Sequence, residues 1–259
     1  MNVLQPRIQN TGIILKSVAE IDLMRQAGKV VARTITVLLA AVRPGISTAA
    51  LDAIAEEHIR ASGATPSFKG YRGFPASICT SINEEVVHGI PGKRTVRAGD
   101  ILKLDVGAIV EGFHGDSAIT IPVGAVSAKA ETLIDACAGS LNAAIALCKV
   151  GKRIGDLSNA AQTYAESRGF SVVREYVGHG IGRQLHEEPA VPNYGVAGKG
   201  IVLQHGMVLA IEPMVNVGTW KTYLMPDNWT VVTEDRALSA HFEHTIAILD
   251  TGPEVLTAR

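Results

Sequence analysis

Cysteine is scarce: Cys79, Cys137 and Cys148 are too few and too scattered for a disulfide framework or a CxxC metal knuckle. A reducing, cytoplasmic setting is expected for thiols used this sparingly. Cys137 and Cys148 lie eleven residues, or three helical turns, apart and are expected to share a buried helix face. Charge of either sign in excess is also missing, since 24 Lys and Arg against 25 Asp and Glu leave a formal charge of −1. That balance argues against nucleic acid as a substrate and against an anionic membrane surface. The longest apolar-rich stretch, Val30 to Val42, contains Arg33 and Thr34 and falls short of a membrane span. The opening MNVLQPRIQN lacks an uninterrupted apolar core with a small-residue cleavage site, so no signal peptide is expected. What the 259 residues do have is 47% hydrophobic content with 19% charge, enough for one large α/β unit with a substantial core.

The order of elements is readable from caps and glycines. Residues 1–11 read as an N-terminal tail. Ser17 with Glu20 three residues on is a capping box, opening a helix that should run to about Val42 before Pro44-Gly45. Ser47 or Thr48 caps a second helix ending near Gly63, and strands follow to Pro122. After Ser127 the order begins again: a helix over about 128–149, a second over about 156–167, then strands. Gly45 to Gly63 and Gly151 to Gly169 are both 18 apart, and Leu51 and Leu157 each fall six residues after the first glycine of their pair. GDILKLD (99–105) also resembles GMVLAIE (206–212), each an apolar strand closed by an acid. The chain is therefore expected to be one catalytic domain over 12–259, built of two helix–helix–strands halves at about 12–125 and 126–250. The expected class is α+β, with one curved, antiparallel-rich sheet covered by helices on its outer face and a site where the halves meet.

The stretch LKLDVGAIVEGFHGDSAITI (102–121) reads as a β-hairpin by its alternation and its Glu111-Gly112 turn signal. A turn centred on Val110–Glu111 sets Asp105 opposite Asp116; one on Glu111–Gly112 sets Gly107 opposite Asp116. Both registers put the two carboxylates on one face, about 5 to 8 Å apart. Such a pair repels unless one acid is protonated or a cation lies between them. The second half supplies Glu212, Glu243 in an alternating strand whose other face is Phe242, His244, Ile246 and Ile248, and His179 in a glycine-rich YVGHGIG. Four carboxylates and one imidazole form a hard ligand set suited to Mn, Fe, Co or Zn. The carboxylates would carry about −4, which two divalent ions would offset. Among the other histidines, His58 and His205 are expected in solvent, His244 to point away from the site, and His114 shares the face of Asp116. His186-Glu187 is not an HExxH pair, because position 190 is Ala, and Gly178, Gly180 and Gly182 do not make GxGxxG.

YVGHGIGRQLHEEPAVPNY (Tyr176–Tyr194) closely resembles the signature of type I methionine aminopeptidases. NEEVVHGIPG (83–92), LDVG, GDSA, AIEPM (210–214) and FEHTIAI follow the same family in order. The resemblance spans nearly the whole chain past the tail and implies the pita-bread fold. It further implies a two-metal centre in which Asp116 and Glu243 bridge the ions, Asp105 completes one site, and His179 with Glu212 the other. Its chemistry is hydrolysis by a metal-activated water or hydroxide, with Glu212 as proton shuttle. By the same resemblance His186 steadies the developing oxyanion, and His88 contacts the substrate past the scissile bond. The methionine pocket maps onto Tyr71, Phe74, Cys79, Leu185 and Trp229; some relatives carry an aromatic at 185 and a tyrosine at 74. Phe68 stands where the family varies and receives no role.

The implied activity is removal of initiator methionine from nascent polypeptides when the second residue is small, by a monomeric enzyme working near ribosomes. Three cysteines cannot build the family's zinc-finger extension, and the span from His186 to Glu212 has no room for the type II helical insertion. An Xaa-Pro aminopeptidase or prolidase on the same fold is the alternative; it normally carries an added N-terminal domain for which this chain has no residues. A non-catalytic binding protein on this fold would be expected to lack ligands and to carry a basic surface.

Overall fold

Ser17 closes the first helix as the sequence predicts: its hydroxyl accepts from the Glu20 amide, and Glu20 Oε2 accepts from the Ser17 amide at 2.9 Å. A computed structural model describes residues 7–8 and 12–259. The tail expected over 1–11 lies outside the described residues, except that Arg7–Ile8 pairs antiparallel with Ile14–Leu15. Helix α1 covers Val18–Ala41, and α2, capped by Ser47, covers Thr48–Ala61. Helix α3, capped by Ser127, covers Ala128–Ile145, and α4 covers Ile154–Glu166. Helix α3 is thus shorter than the expected 128–149. Its last turn gives way to a turn at 146–147 and irregular chain at 148–149, and Cys148 lies in a core with Leu141, Ala144 and Leu157. Cys137 instead packs with Leu133, Phe170 and Val215, so the two thiols are both buried but in different cores.

Each helix pair covers its own strands. Leu38, Leu51 and Ile59 of α1 and α2 pack on Ile78, Leu104 and Val106, while Leu141, Leu157 and Ala161 of α3 and α4 pack on Leu209, Ile211 and Ile246. Leu51 and Leu157, matched in the two halves of the sequence, are both fully buried. Among the described residues every strand pair is antiparallel, in ladders of two to five strands. The long hairpin joins Ile101–Val110 to Phe113–Pro122 with Val110 opposite Phe113. Glu111 at φ 48° and Gly112 at φ 79° turn it, the positive-φ pair that matches the right-handed twist of a hairpin. Of the two registers the sequence allows, this is the one that sets Gly107 opposite Asp116.

The second-half strands do not run as continuously as their sequence suggests. Val208–Ile211 pairs with His244–Leu249, and Met214–Asn216 pairs with Ser239–His241. Between these ladders both chains break, at Glu212-Pro213 and at Phe242-Glu243. A proline can donate nothing to a ladder, and Glu243 spends its amide on Ala118 O of the hairpin at 3.0 Å.

Threonine hydroxyls stand in for ladder bonds where the halves meet. Thr245 Oγ1 accepts from the Asp116 amide at 3.0 Å and donates to the Asp116 carbonyl at 2.8 Å. Thr120 Oγ1 serves the amide and carbonyl of His241 the same way, at 2.8 and 2.7 Å. Thr245→Val keeps the shape but strands two buried backbone groups, at a cost of about 1–3 kcal/mol each. It should lower the urea midpoint of the protein and weaken divalent-metal binding measured by calorimetry; an unchanged midpoint and affinity would remove the seam's role.

Two histidines expected in solvent divide. His205 is exposed, 3.2 Å from Asp250. His58 is half-buried on α2, and its Nδ1 pairs with Thr34 Oγ1 of α1 at 2.9 Å. No helix among the described residues is long and apolar enough to cross a membrane.

Candidate metal centre and substrate cavity

Strand alternation carries Asp105 and Asp116 to one face of the hairpin, diagonal to each other, since Asp105 faces Ala118 across the ladder. The paired strand breaks carry Glu212 and Glu243 toward the same place, and the Gly178–Gly180 strand carries His179 beside Ala210. Asp105, Asp116, His179, Glu212 and Glu243 all line one cavity. One ligand atom each from Asp116, His179 and Glu243 lie within 4.8 Å of one another, all three residues being buried. Glu212 Oε1 is 3.5 Å from His179 Nε2. Asp105 and Glu212 join the cavity wall without entering that tight trio.

The electrostatics of this cluster call for a cation. Burial first, then each other's charge, raises Asp116, Glu212 and Glu243 well above the usual carboxylate range. Burial lifts Asp105 to about 7. Asp105 Oδ1, Asp116 Oδ1 and Glu243 Oε1 are buried without a hydrogen-bond partner. Buried polar atoms of native proteins are paired almost without exception, so three orphaned carboxylate oxygens converging on one cavity fit a divalent metal ion. His179 fits the same role. Burial lowers it to about 3, so the ring is neutral, and its Nδ1 lies 2.9 Å from Gly180 O. A neutral Nδ1 donating to that carbonyl leaves the Nε2 lone pair free as a ligand.

The remaining wall is apolar and aromatic. Phe74 and Trp229 meet edge to face at 5.0 Å, with Cys79 and Leu185 beside them on the cavity. Tyr71 lies on the same wall, and its hydroxyl is 2.8 Å from His186 Nδ1. His186 in turn stands 4.2 Å, ring to ring, from His179. His88 completes the group at φ 60°, an unusual backbone for a non-glycine residue, 6.5 Å from Trp229. Burial lowers both His88, to about 4, and His186, so each is a neutral imidazole near pH 7.

Two cavity residues and one buried histidine behind the wall escaped the sequence reading. Phe68 lines the cavity although it was given no role. A Cβ at Gly107 would lie 2.6 Å from the Phe68 ring, so the bare backbone between the two aspartates makes its seat. That strand glycine was the available signal. Arg72, at φ 49° in the Tyr71–Gly73 turn, stands on the cavity wall with its guanidinium 5.3 Å from the Tyr71 ring. Nothing in the sequence marked it. His241 is almost fully buried, with Nε2 3.7 Å from Glu212 Oε2 and no hydrogen-bond partner. It stands two residues before Glu243, and the alternation applied to that acid would have placed it on the same face. His114, on the face of Asp116, pairs with Ser67 Oγ at 3.0 Å and does not line the cavity.

The model of metallopeptidase family M24 matches residues 22–250. A methionine aminopeptidase of Clostridium acetobutylicum is 54% identical over 246 residues, covering 95% of this chain and 98% of that one. The chain belongs to the methionine aminopeptidases of family M24. Methionine aminopeptidase 1 of Mycobacterium tuberculosis is 50% identical over 93% of this chain and 94% of its own. The crystal structure of methionine aminopeptidase from Rickettsia prowazekii superposes with a TM-score of 0.94 at 40% identity, covering 95% of this chain and all of that one. The fold is the pita bread of that family. Prolidase from Pyrococcus furiosus has a TM-score of 0.80 at 21% identity, and this chain covers 67% of it; that likeness is one of fold. The protein is a metal-dependent aminopeptidase, and a cluster of potential metal ligands is present.

Proposed function

We propose that the protein removes the initiator methionine of nascent polypeptides when the second residue is small, using two divalent ions in the carboxylate cluster. The observation that carries this is the junction of two unlike walls: orphaned acids on one side, an apolar pocket of Phe74, Cys79, Leu185 and Trp229 on the other. Aromatic edges and a sulfur suit an unbranched, polarisable thioether. Asp105, Asp116, His179, Glu212 and Glu243 would hold the ions. Divalent ions held there would lower the pKa of water from about 15.7 towards neutrality and polarise the scissile carbonyl.

The rest falls to the protein's own side chains. Glu212, raised by burial, can take a proton from the attacking water and return it to the leaving amine. With the Tyr71 hydroxyl as the donor in its 2.8 Å pair with His186 Nδ1, the ring N–H would sit on Nε2, where it could donate to the carbonyl oxygen as that oxygen gains charge. His88, neutral and fixed by its backbone, is assigned to the substrate chain past the scissile bond. Action in the cytoplasm, near ribosomes and as a monomer completes the proposal; three buried free thiols are in keeping with a reducing compartment. Metal-loaded protein should cleave Met-Ala-Ser far faster than an Xaa-Pro peptide or a methionyl peptide with a bulky second residue. Faster turnover of the Xaa-Pro peptide would overturn the proposal.

A further inference from the structure

Lys16 and Glu187 form an ion pair of 2.6 Å whose side chains are only 3% and 4% exposed. It ties the segment entering α1 to the loop that carries His186. Both ends are fixed. Lys16 Nζ also donates to Ile14 O at 3.1 Å, and the Lys16 amide donates to Gly206 O at 2.7 Å. Glu187 Oε1 accepts from the Gln184 amide at 3.1 Å, and the Gly182 amide donates to Gln184 O at 3.1 Å, which folds 182–187 into a tight loop. A Cβ at Gly182 would lie 2.5 Å from Lys16 Cε and 2.7 Å from Glu187 Oε1, so the pair takes the space of a side chain there. A second link runs alongside: Arg183 lies 3.5 Å from Glu20, the acid of the α1 capping box, and 4.2 Å from the Phe113 ring.

Leu185 and His186 hang between these anchors and line the cavity, whereas Lys16 and Glu187 do not. A buried ion pair is a poor source of stability, since desolvation consumes most of the Coulomb gain. What such a pair supplies is geometry, and here the geometry is that of one turn of loop bearing an imidazole. A displacement of about 1 Å at a reacting group can cost about 10²-fold in rate. We propose that Lys16, through its ion pair with Glu187, is a positioning residue for His186. The proposal rests on the catalytic role given to His186 above.

The test is a cycle of Lys16→Met, His186→Ala and their double variant, in metal-loaded protein acting on Met-Ala-Ser. Lys16→Met should lower kcat by about 10- to 100-fold with KM nearly unchanged, and Lys16→Arg should recover most of it. In the His186→Ala background Lys16→Met should cost less than about threefold more, because the group it positions is gone. Amide exchange over 182–187 should quicken in Lys16→Met while the 101–122 hairpin keeps its protection. A wild-type kcat in Lys16→Met, a loss that multiplies with that of His186→Ala, or unchanged exchange in the loop would each overturn the proposal. Wild-type turnover in His186→Ala alone would instead strike the role of His186 itself. Should Lys16→Met not fold, Glu187→Gln carries the same comparisons, since it keeps an acceptor for Gln184 and removes the charge.

Discussion

Asp105→Asn and Glu212→Gln will each lower turnover by about 10³-fold or more while the fold persists. Each replaces a carboxyl ligand with a neutral amide of nearly the same shape, in a cluster whose excess of buried acid a divalent ion would offset. Neither acid packs in a hydrophobic core: Asp105 sits on the cavity-lining face of the hairpin, and Glu212 lines the same cavity just past the end of its strand. Without metal the same substitutions should stabilise the protein at pH 8. They remove one carboxyl from a buried, mutually repelling group in which Asp116, Glu212 and Glu243 already resist ionisation. The two measurements therefore move in opposite directions: activity and metal content fall, and the melting temperature of the metal-free protein holds or rises. Near wild-type turnover in both variants at limiting metal would remove these residues from the centre.

The legible parts of this site were those fixed by local rules. The Asp105 and Asp116 pairing followed from period-2 alternation and a turn that only a positive-φ pair can close, so either register gave the same face. The capping box at Ser17 and the matched glycines framing α2 and α4 likewise depend on neighbours in sequence. What the sequence hid depends on partners far along the chain. Phe68 enters the cavity because Gly107, 39 positions later, leaves room for it. The strand through Glu243 breaks because its amide is claimed by Ala118. Lys103 belongs in the same class. Its side chain lies in the core of a strand, fully buried, and its ammonium donates to Asn83 O at 2.7 Å and Ser239 O at 2.6 Å, one carbonyl from each half. No pattern in the Lys103 neighbourhood announces a cation that long-range carbonyls will satisfy.

Divalent-metal affinity will rise with pH through about 7, with protons released on binding. A carboxyl must be ionised to serve as a ligand, and burial holds Asp105 protonated up to about 7 and the other three acids higher than usual. His179 does not add to the competition, because burial has lowered it to about 3 and its ring is neutral throughout this range. The sign for the metal-free protein follows from linkage. Carboxyls raised in the fold contribute stability that is full below their unfolded values near 4 and is lost as pH rises through their folded values. Histidines lowered in the fold, His179 and His241 to about 3 and His88 to about 4, act oppositely, but only up to their unfolded value near 6.5. Between pH 6.5 and 8 the carboxyls of this cluster lower stability as pH rises, whereas Lys103, which burial lowers to about 7, and Lys16, which burial also lowers, act oppositely. The cluster's share is therefore the difference between metal-free and metal-saturated protein. Across that window the melting temperature of wild-type metal-free protein should fall relative to that of the same protein saturated with Mn(II), because the ion replaces the protons that held the acids together. Calorimetric titration with Mn(II) in two buffers of different ionisation enthalpy will count those protons, more at pH 6 than at pH 7.5, and fewer in Asp105→Asn. Binding that is independent of pH and releases no protons would mean that the four acids are already ionised without metal, and would remove the physical ground for placing the cation among them.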